Sequence, residues 1–574
     1  MRRILVSALV ALTAAALAAP TSAGAGPGRQ AQREYIVLYS EGASLAAARA
    51  GVAAAGGTLL RENQAVGVAT VRSSRSDFAS VAAQSAAIAG VAGNRSIGSA
   101  PSGSEARQKP NQVEKLGRVR GASAAGKPTR AARAEPLAPL QWDMRQIDAT
   151  ARGSYKVERG ERGVRVGIMD TGIDGSHPDV APNFSRRLSR NFTVDIPVDA
   201  NGNEIDGPCA EEPDNSCTDP ADVDEDGHGT HVASTVGSPL NGLGIGGVAP
   251  KVTLVNVRAG QDSGFFFLQP TVDALTYSGD VGIDVVNMSF YVDPWLFNCL
   301  NNPADAPEDQ AEQRTIIAAM QRALNYAHRH GVTLVSAAGN GSTDYTKPSI
   351  DPTSPDFADE PGEAPYERTI DPDTCTSMPS EGRHVITVSA TGPSTRKAFY
   401  SDYGHGYVDV AAPGGDTFDN PSNTNDDTLG ILAAYPRALA IANEELNPDG
   451  TPAVPWVVRD CKGSVCAYYQ YLQGTSMASP HAAGVAALIV SKFGRRDRHG
   501  GGLTLDPDAT ERRLLRTAVN HPCPSPRTYT YTLLIPNDEG ELEEITLTAT
   551  CEGPRFDNGF YGEGIVNALR AVRR

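Results

Sequence analysis

The run 473–490, QGTSMASPHAAGVAALIV, places a serine where a tight turn becomes an apolar helix. Ala482, Ala483, Gly484, Ala486 and Ala487 allow close packing, and Val485, Leu488, Ile489 and Val490 supply buried bulk. Ser476 therefore falls at or near a helix N-terminus. Unpaired amides and the positive dipole end there favour the anion that a serine nucleophile raises on a carbonyl. Pro480 is tolerated within the first turn, which sets the helix start near Ser476. Alone, such a serine reads as a helix cap. A hydroxyl nucleophile needs a base, and the base an orienting group. The chain offers His228 in DEDGHGTHVAS, Asp170 in VRVGIMDTGID and Asn340 in VSAAGN. Each also has an ordinary role: a structural or metal histidine, a strand-end cap, an asparagine in a left-handed turn after Gly339.

GTSMASPH resembles the nucleophile motif of the subtilisin-like serine proteases, and the order Asp, His, Ser is that of the family. The resemblance runs from about residue 141 to the C-terminus, with long insertions. It implies a serine endopeptidase in which Asp170 orients His228, His228 takes the proton of Ser476, and an acyl-enzyme forms. The Asn340 amide and the Ser476 N–H would be the oxyanion donors. It further implies that a peptide substrate adds as a strand between Ser263–Gly264 and the edge Ser289, Phe290 and Tyr291, with Ala338 and Gly339 walling the primary pocket. Tyr291, in NMSFY, stands where the family usually has glycine, which leaves the side-chain preference open. The family has no catalytic cofactor, and structural Ca2+ is one of its traits. Asp179 in DGSHPD and Asn241 in LNGLGIGGVAP match positions that supply hard oxygen ligands. The alternative is an ordinary Gly-rich turn beside a solvated aspartate.

Two other classes compete. A binding protein that keeps the fold would be expected to have lost one of the four chemical residues. A lipase or esterase would carry its serine in GxSxG, and here it lies in GTSMA.

These groups need a scaffold. Segments 164–169, 252–257, 283–288, 332–337, 385–389 and 408–411 are short, rich in Val and Ile, and separated by helix-length stretches such as 316–330. That alternation predicts an α/β fold, a doubly wound parallel sheet, with ligands bound beyond the carboxyl ends of the strands. Ahead of it, strands at 35–39, 66–71 and 91–97 alternate with helices at 44–55 and 77–89. The order suits a small α/β sandwich and resembles the inhibitory propeptide of the same family. Domains are expected at 29–98 (propeptide), 99–134 (an unpatterned linker where cleavage is tolerated) and 135–574 (catalytic domain). Insertions at 194–222, 293–310, 342–380 and 415–468 are polar, Pro-rich or acidic and read as surface loops. YGEGIVNALRAV near the C-terminus resembles the closing helix of the family.

Residues 1–23 have two arginines, a short apolar run and small residues before Ala23, the pattern of a signal peptide. No later stretch reaches the roughly 20 apolar residues of a membrane span. A secreted, extracellular protein without a membrane anchor is expected. The eight cysteines contain no CxxC pair and read as disulfides. Sequence closeness suggests 209–217, 461–466 and 523–551, leaving 299 for 375, one of about 105 connectivities. Residues 1–134 hold 17 Lys+Arg and 6 Asp+Glu, a balance of +11; from totals of 51 and 67 this leaves 34 and 61, a balance of −27. This division reads as a solvated acidic surface, or as attraction between a basic leader and an acidic body. Nothing suggests nucleic-acid binding.

Overall fold

The N-terminal segment follows the expected alternation with one strand more. In the computed structural model, which describes residues 32–93, 114, 135–210, 215–358, 360–497, 502–537 and 541–573, it reads β1 (Arg33–Tyr39), α1 (Leu45–Ala54), β2 (Thr58–Asn63), β3 (Val68–Ser73), α2 (Phe78–Ala82) and β4 (Ile88–Gly93). The strands pair antiparallel in the order β2-β3-β1-β4. The unexpected β2, TLLREN, is an edge strand with its first residues exposed, so it lacks apolar alternation. The helix expected at 77–89 shortens to α2 because Ile88 is drawn into pairing with Tyr39. The signal peptide at 1–23, the linker at 99–134 apart from Glu114, and residues 94–97 lie outside the described residues.

The Val- and Ile-rich segments form β5 (Arg165–Met169), β7 (Thr253–Arg258), β8 (Val285–Met288), β9 (Thr333–Ala337), β10 (Val385–Thr391) and β11 (Val410–Pro413), with a short β6 (Arg190–Asn191) at one edge. All pair in parallel, in the order β11-β10-β9-β8-β5-β7-β6. The sheet is buried on both faces. Val166 and Ile168 share a core with Val232 of α3 (His228–Gly237) and Val485 of α6 (Thr475–Phe493). Met169 and Val286 share another with Val272 of α4 (Leu268–Asp280) and Ala323 of α5 (Pro307–Arg329).

The N-terminal sheet joins that second core. Ile36, Leu38, Val68 and Ala92 pack with Leu268, Ile316 and Ala319. Asn63 donates to Asp273 at 2.8 Å, and Arg322 to the Tyr39 carbonyl at 2.7 Å. Ion pairs across the boundary include Arg33–Glu360, exposed at both ends, and Arg61–Asp273. Exposed pairs contribute about 0–1 kcal/mol, so a shared apolar layer, more than opposite charge, joins the two parts.

The insertions are more than surface loops. Those at 293–310 and 342–380 are bonded by Cys299–Cys375 and packed around Arg368, fully buried, which pairs with Asp305 at 2.9 Å and Asp351 at 3.2 Å and lies 4.7 Å from the Trp295 ring. The insertion at 415–468 supplies β12 (Ile431–Ala434), β13 (Val457–Lys462) and the start of β14 (Val465–Leu472), a three-stranded antiparallel sheet leading into α6. The other disulfides are 209–217, 461–466 and 523–551, so all four expected pairs form. Among the described residues, no helix is long and apolar enough to cross a membrane.

Candidate active site

Asp170 follows β5 directly, and its side chain is fully buried. Oδ1 accepts from His228 Nδ1 at 2.7 Å and from the Thr171 N–H at 2.9 Å. His228 opens α3 after Gly227, whose φ of 92° makes the turn that brings the imidazole to the strand edge. A Cβ on Gly229 would stand 2.0 Å from the Gly172 carbonyl oxygen, so only glycine lets the helix approach β5 this closely.

On the other side of the imidazole, Nε2 faces Glu114 Oε1 at 3.4 Å. Glu114 is 6% exposed, its carbonyl accepts from Gln473 N, and a Cβ on Gly474 would lie 3.1 Å from its side chain. Burial alone would hold the His228 pKa down, but the Asp170 and Glu114 carboxylates outweigh it and raise it well above its ordinary value. Burial also lifts Asp170, against the opposing effect of His228.

Ser476 is the second residue of α6, and its Oγ is turned toward the Ser289 carbonyl at 3.4 Å. Pro480 sits in the second turn rather than the first. Lacking an N–H, it leaves the Ser476 carbonyl without its helical partner, and the Ser289 hydroxyl donates there instead at 3.2 Å. Ser289 Oγ also pairs with Ser479 Oγ at 2.9 Å. The residue expected to bind substrate thus also fastens the end of β8 to the nucleophile turn.

Asn340 comes three residues after β9. Its Oδ1 accepts from Thr475 N and Oγ1, both at 2.9 Å, and Thr475 Oγ1 accepts from Gly339 N at 3.0 Å. With its oxygen so engaged, the amide presents Nδ2 as the remaining donor. The loop is clamped from below by Asp402, which is buried. Asp402 accepts from Thr343 N at 2.7 Å, and its own N–H donates to the Gly339 carbonyl at 2.9 Å. Burial pushes its carboxyl up to about 7. Sequence reading missed Glu114, Thr475 and Asp402; of these, only Thr475, adjacent to the serine, carried a local signal.

His228, Glu114, Asn340 and Ser476 line one cleft of about 250 Å3, with Asp170 bonded behind His228. It includes Gly264, Ser289, Phe290, Tyr291, Ala338 and Gly339, together with Phe266, Leu296, Phe297 and Tyr345. Phe290 stacks on Phe266 at 4.0 Å, and Tyr291 donates to Asp356 of the 342–380 insertion at 2.5 Å. Ser263 behaves differently: its N–H and hydroxyl both bond Asp206, at 2.9 and 2.8 Å, and the residue is not among those lining the cleft.

Asp179 and Asn241 stand together away from the cleft. Asp179 Oδ1 accepts from Asn241 Nδ2 at 3.0 Å; Oδ2 accepts from Ile245 N at 3.0 Å and from the Tyr469 hydroxyl at 3.1 Å. Calcium takes about 6–8 converging oxygens. Here donors converge on the carboxylate instead, so the residues as arranged do not fit the ion. Two other places bring imidazoles or carboxylates together. His328 and His384 stack at 3.8 Å beside Asp508, which pairs with His328 Nε2 at 2.8 Å. Asp195, Asp219 and Asp262 surround the guanidinium of Arg258.

A seven-stranded parallel sheet with helices on both faces, and a serine, histidine and aspartate at its carboxyl edge, define the subtilisin-like architecture. The chain belongs to the subtilase family: the Peptidase_S8 model, described as Subtilase family, matches residues 161–550. It is a subtilisin-like serine endopeptidase. Relatives include the thermophilic serine proteinase of Bacillus sp. (strain AK1), 27% identical over 59% of this chain and 55% of its own length. Subtilisin DY of Bacillus licheniformis is 26% identical over 62% of this chain and 84% of its own. Thermitase of Thermoactinomyces vulgaris is 26% identical over 62% and 80%. Among solved structures, the epidermin leader peptide processing serine protease of Staphylococcus aureus matches with a TM-score of 0.58 at 20% identity, covering 94% of this chain and 98% of that one.

Proposed function

We propose that this chain is a secreted endopeptidase that cleaves peptide bonds of proteins through Ser476, His228 and Asp170, with Asn340 as oxyanion donor. His228 Nε2 takes the Ser476 proton as Oγ attacks the scissile carbonyl. Asp170, bonded to Nδ1 at 2.7 Å, fixes the tautomer and stabilises the imidazolium. The oxyanion is received by Asn340 Nδ2 and the Ser476 N–H at the start of α6. His228 returns the proton to the leaving amine, and water repeats the cycle on the acyl-enzyme. The observation that carries this reading is the meeting of His228, Asn340 and Ser476 in one cleft, with Asp170 bonded behind the imidazole, the four residues coming from two strand ends and two helix starts. The leader at 1–23 and four disulfides support export.

The N-terminal segment is, in this reading, an intramolecular inhibitor whose linker the enzyme itself cuts. Glu114 supports it. While its carboxylate sits against His228 Nε2, the imidazole cannot take the serine proton, so Glu114 must withdraw from the imidazole for each cut, the first cut in the linker included. The pair is stable below the raised His228 pKa and is lost as pH rises through it.

Ser476→Ala tests the assignment. It should leave the fold intact, reduce turnover by about 10⁶ and retain about 10³–10⁴ over water from the remaining machinery. Near-normal turnover by the folded variant would sink the assignment.

A further inference from the structure

The loop after α3, NGLGIG at 241–246, is held by the chain's own side chains. Lys462 Nζ donates to the Asn241 carbonyl at 2.6 Å, and Asp460 accepts from Gly244 N at 2.8 Å. Both belong to β13. Tyr469, on β14 and fully buried, donates its hydroxyl to Asp179 Oδ2 at 3.1 Å. That hydroxyl fills the middle of the loop: a Cβ on Gly244 would stand 1.7 Å from it and 2.8 Å from Asp179 Oδ2. Glu135 accepts from Gly242 N at 2.6 Å, and Asn241 Oδ1 from Leu243 N at 2.8 Å.

The polarity of the loop is therefore the reverse of a cation cage. Gly242, Leu243, Gly244 and Ile245 all spend their N–H groups on side-chain oxygens, as backbone does around an anion. One loop carbonyl, that of Asn241, meets a positive charge, and that charge is Lys462. A calcium ion would require several of these oxygens to turn inward at about 2.3–2.6 Å, into space the Tyr469 hydroxyl occupies.

We propose that the β13–β14 hairpin stands in for a structural divalent cation at this loop, with Lys462 supplying the charge and Tyr469 the central donor. The 241–246 loop then needs no calcium. The hairpin closed by Cys461–Cys466 is the element that makes this possible. It also ties the loop to the cleft, because Tyr469 lies on the strand that runs into Gly474 and Ser476.

The experiment uses the full chain carrying Ser476→Ala, so that self-digestion cannot be mistaken for unfolding. Thermal unfolding in millimolar calcium and in excess EDTA, with calorimetric titration of calcium, should give Tm values within about 1 °C and no loop-dependent heat. Tyr469→Phe should lower Tm by about 2–4 °C, as expected for one lost buried donor, and Lys462→Met should lower it less, since that side chain is exposed. Stoichiometric calcium binding, or a calcium-induced rise in Tm above about 5 °C that Asn241→Ala removes, would overturn the proposal. A calcium effect that persists in Asn241→Ala belongs to another site and leaves this loop cation-free. Should Tyr469→Phe and Lys462→Met both unfold like the parent, the hairpin is not what holds the loop.

Discussion

The cleft edge of the parallel sheet and the layer of insertions around it are built in opposite ways. At the edge, each chemical group is placed by its nearest element: Asp170 by the end of β5, His228 by the start of α3, Asn340 by the turn after β9, Ser476 by the first turn of α6. In the insertion layer, placement depends on pairs distant in sequence. Arg368 reaches Asp305 and Asp351, Tyr291 reaches Asp356, and Cys299 reaches Cys375. The first kind of order rests on strand periodicity and helix starts. The second rests on contacts between distant parts of the sequence, and it shapes the cleft walls and the 241–246 loop.

Breaking the insertion layer should cost stability more than chemistry. Arg368→Met leaves Asp305 and Asp351 buried without their counter-charge, a loss of about 3–5 kcal/mol. Denaturant unfolding should register it, while any protein that remains folded keeps its turnover. A fall in turnover larger than the loss of folded fraction would mean that the two regions are coupled. Breaking the edge should do the converse. Asn340→Leu should lower kcat by about 10²–10³, as removal of such a donor does in a subtilisin, with little change in KM because the bond forms in the transition state. A loss carried mainly in KM would assign Asn340 to ground-state binding.

The smallest effect sharpens the comparison where a remote residue enters the edge. Glu114 raises the His228 pKa, so Glu114→Gln should lower it. The imidazole then becomes a base at lower pH, and the acidic limb of precursor self-cleavage should shift to lower pH. An unchanged limb would mean that Glu114 is seated there without influencing the base.

The same contrast explains what was legible. The strands at 164–169 and 332–337 were placed within a residue of β5 and β9, because a strand buried on both faces reads as a continuous apolar run. The edge strand β2 was missed, since four of its six residues are exposed. Pro480 was placed one turn early, because the Ser289 hydroxyl that satisfies the orphaned carbonyl lies 187 residues away. The unequal charge of the two parts invited an electrostatic docking, yet Ile36, Leu38 and Val68 join an apolar core. Glu114 had no local signal at all, as its partners are His228 and the turn at Gln473 and Gly474.

One measurement addresses the central claim directly. Mature protein is treated with a fluorophosphonate probe, digested, and the modified peptide sequenced. The account predicts a single adduct on Ser476 that disappears in His228→Ala. A probe that labels a different serine, or leaves Ser476 unmodified in protein that hydrolyses peptides, would contradict it.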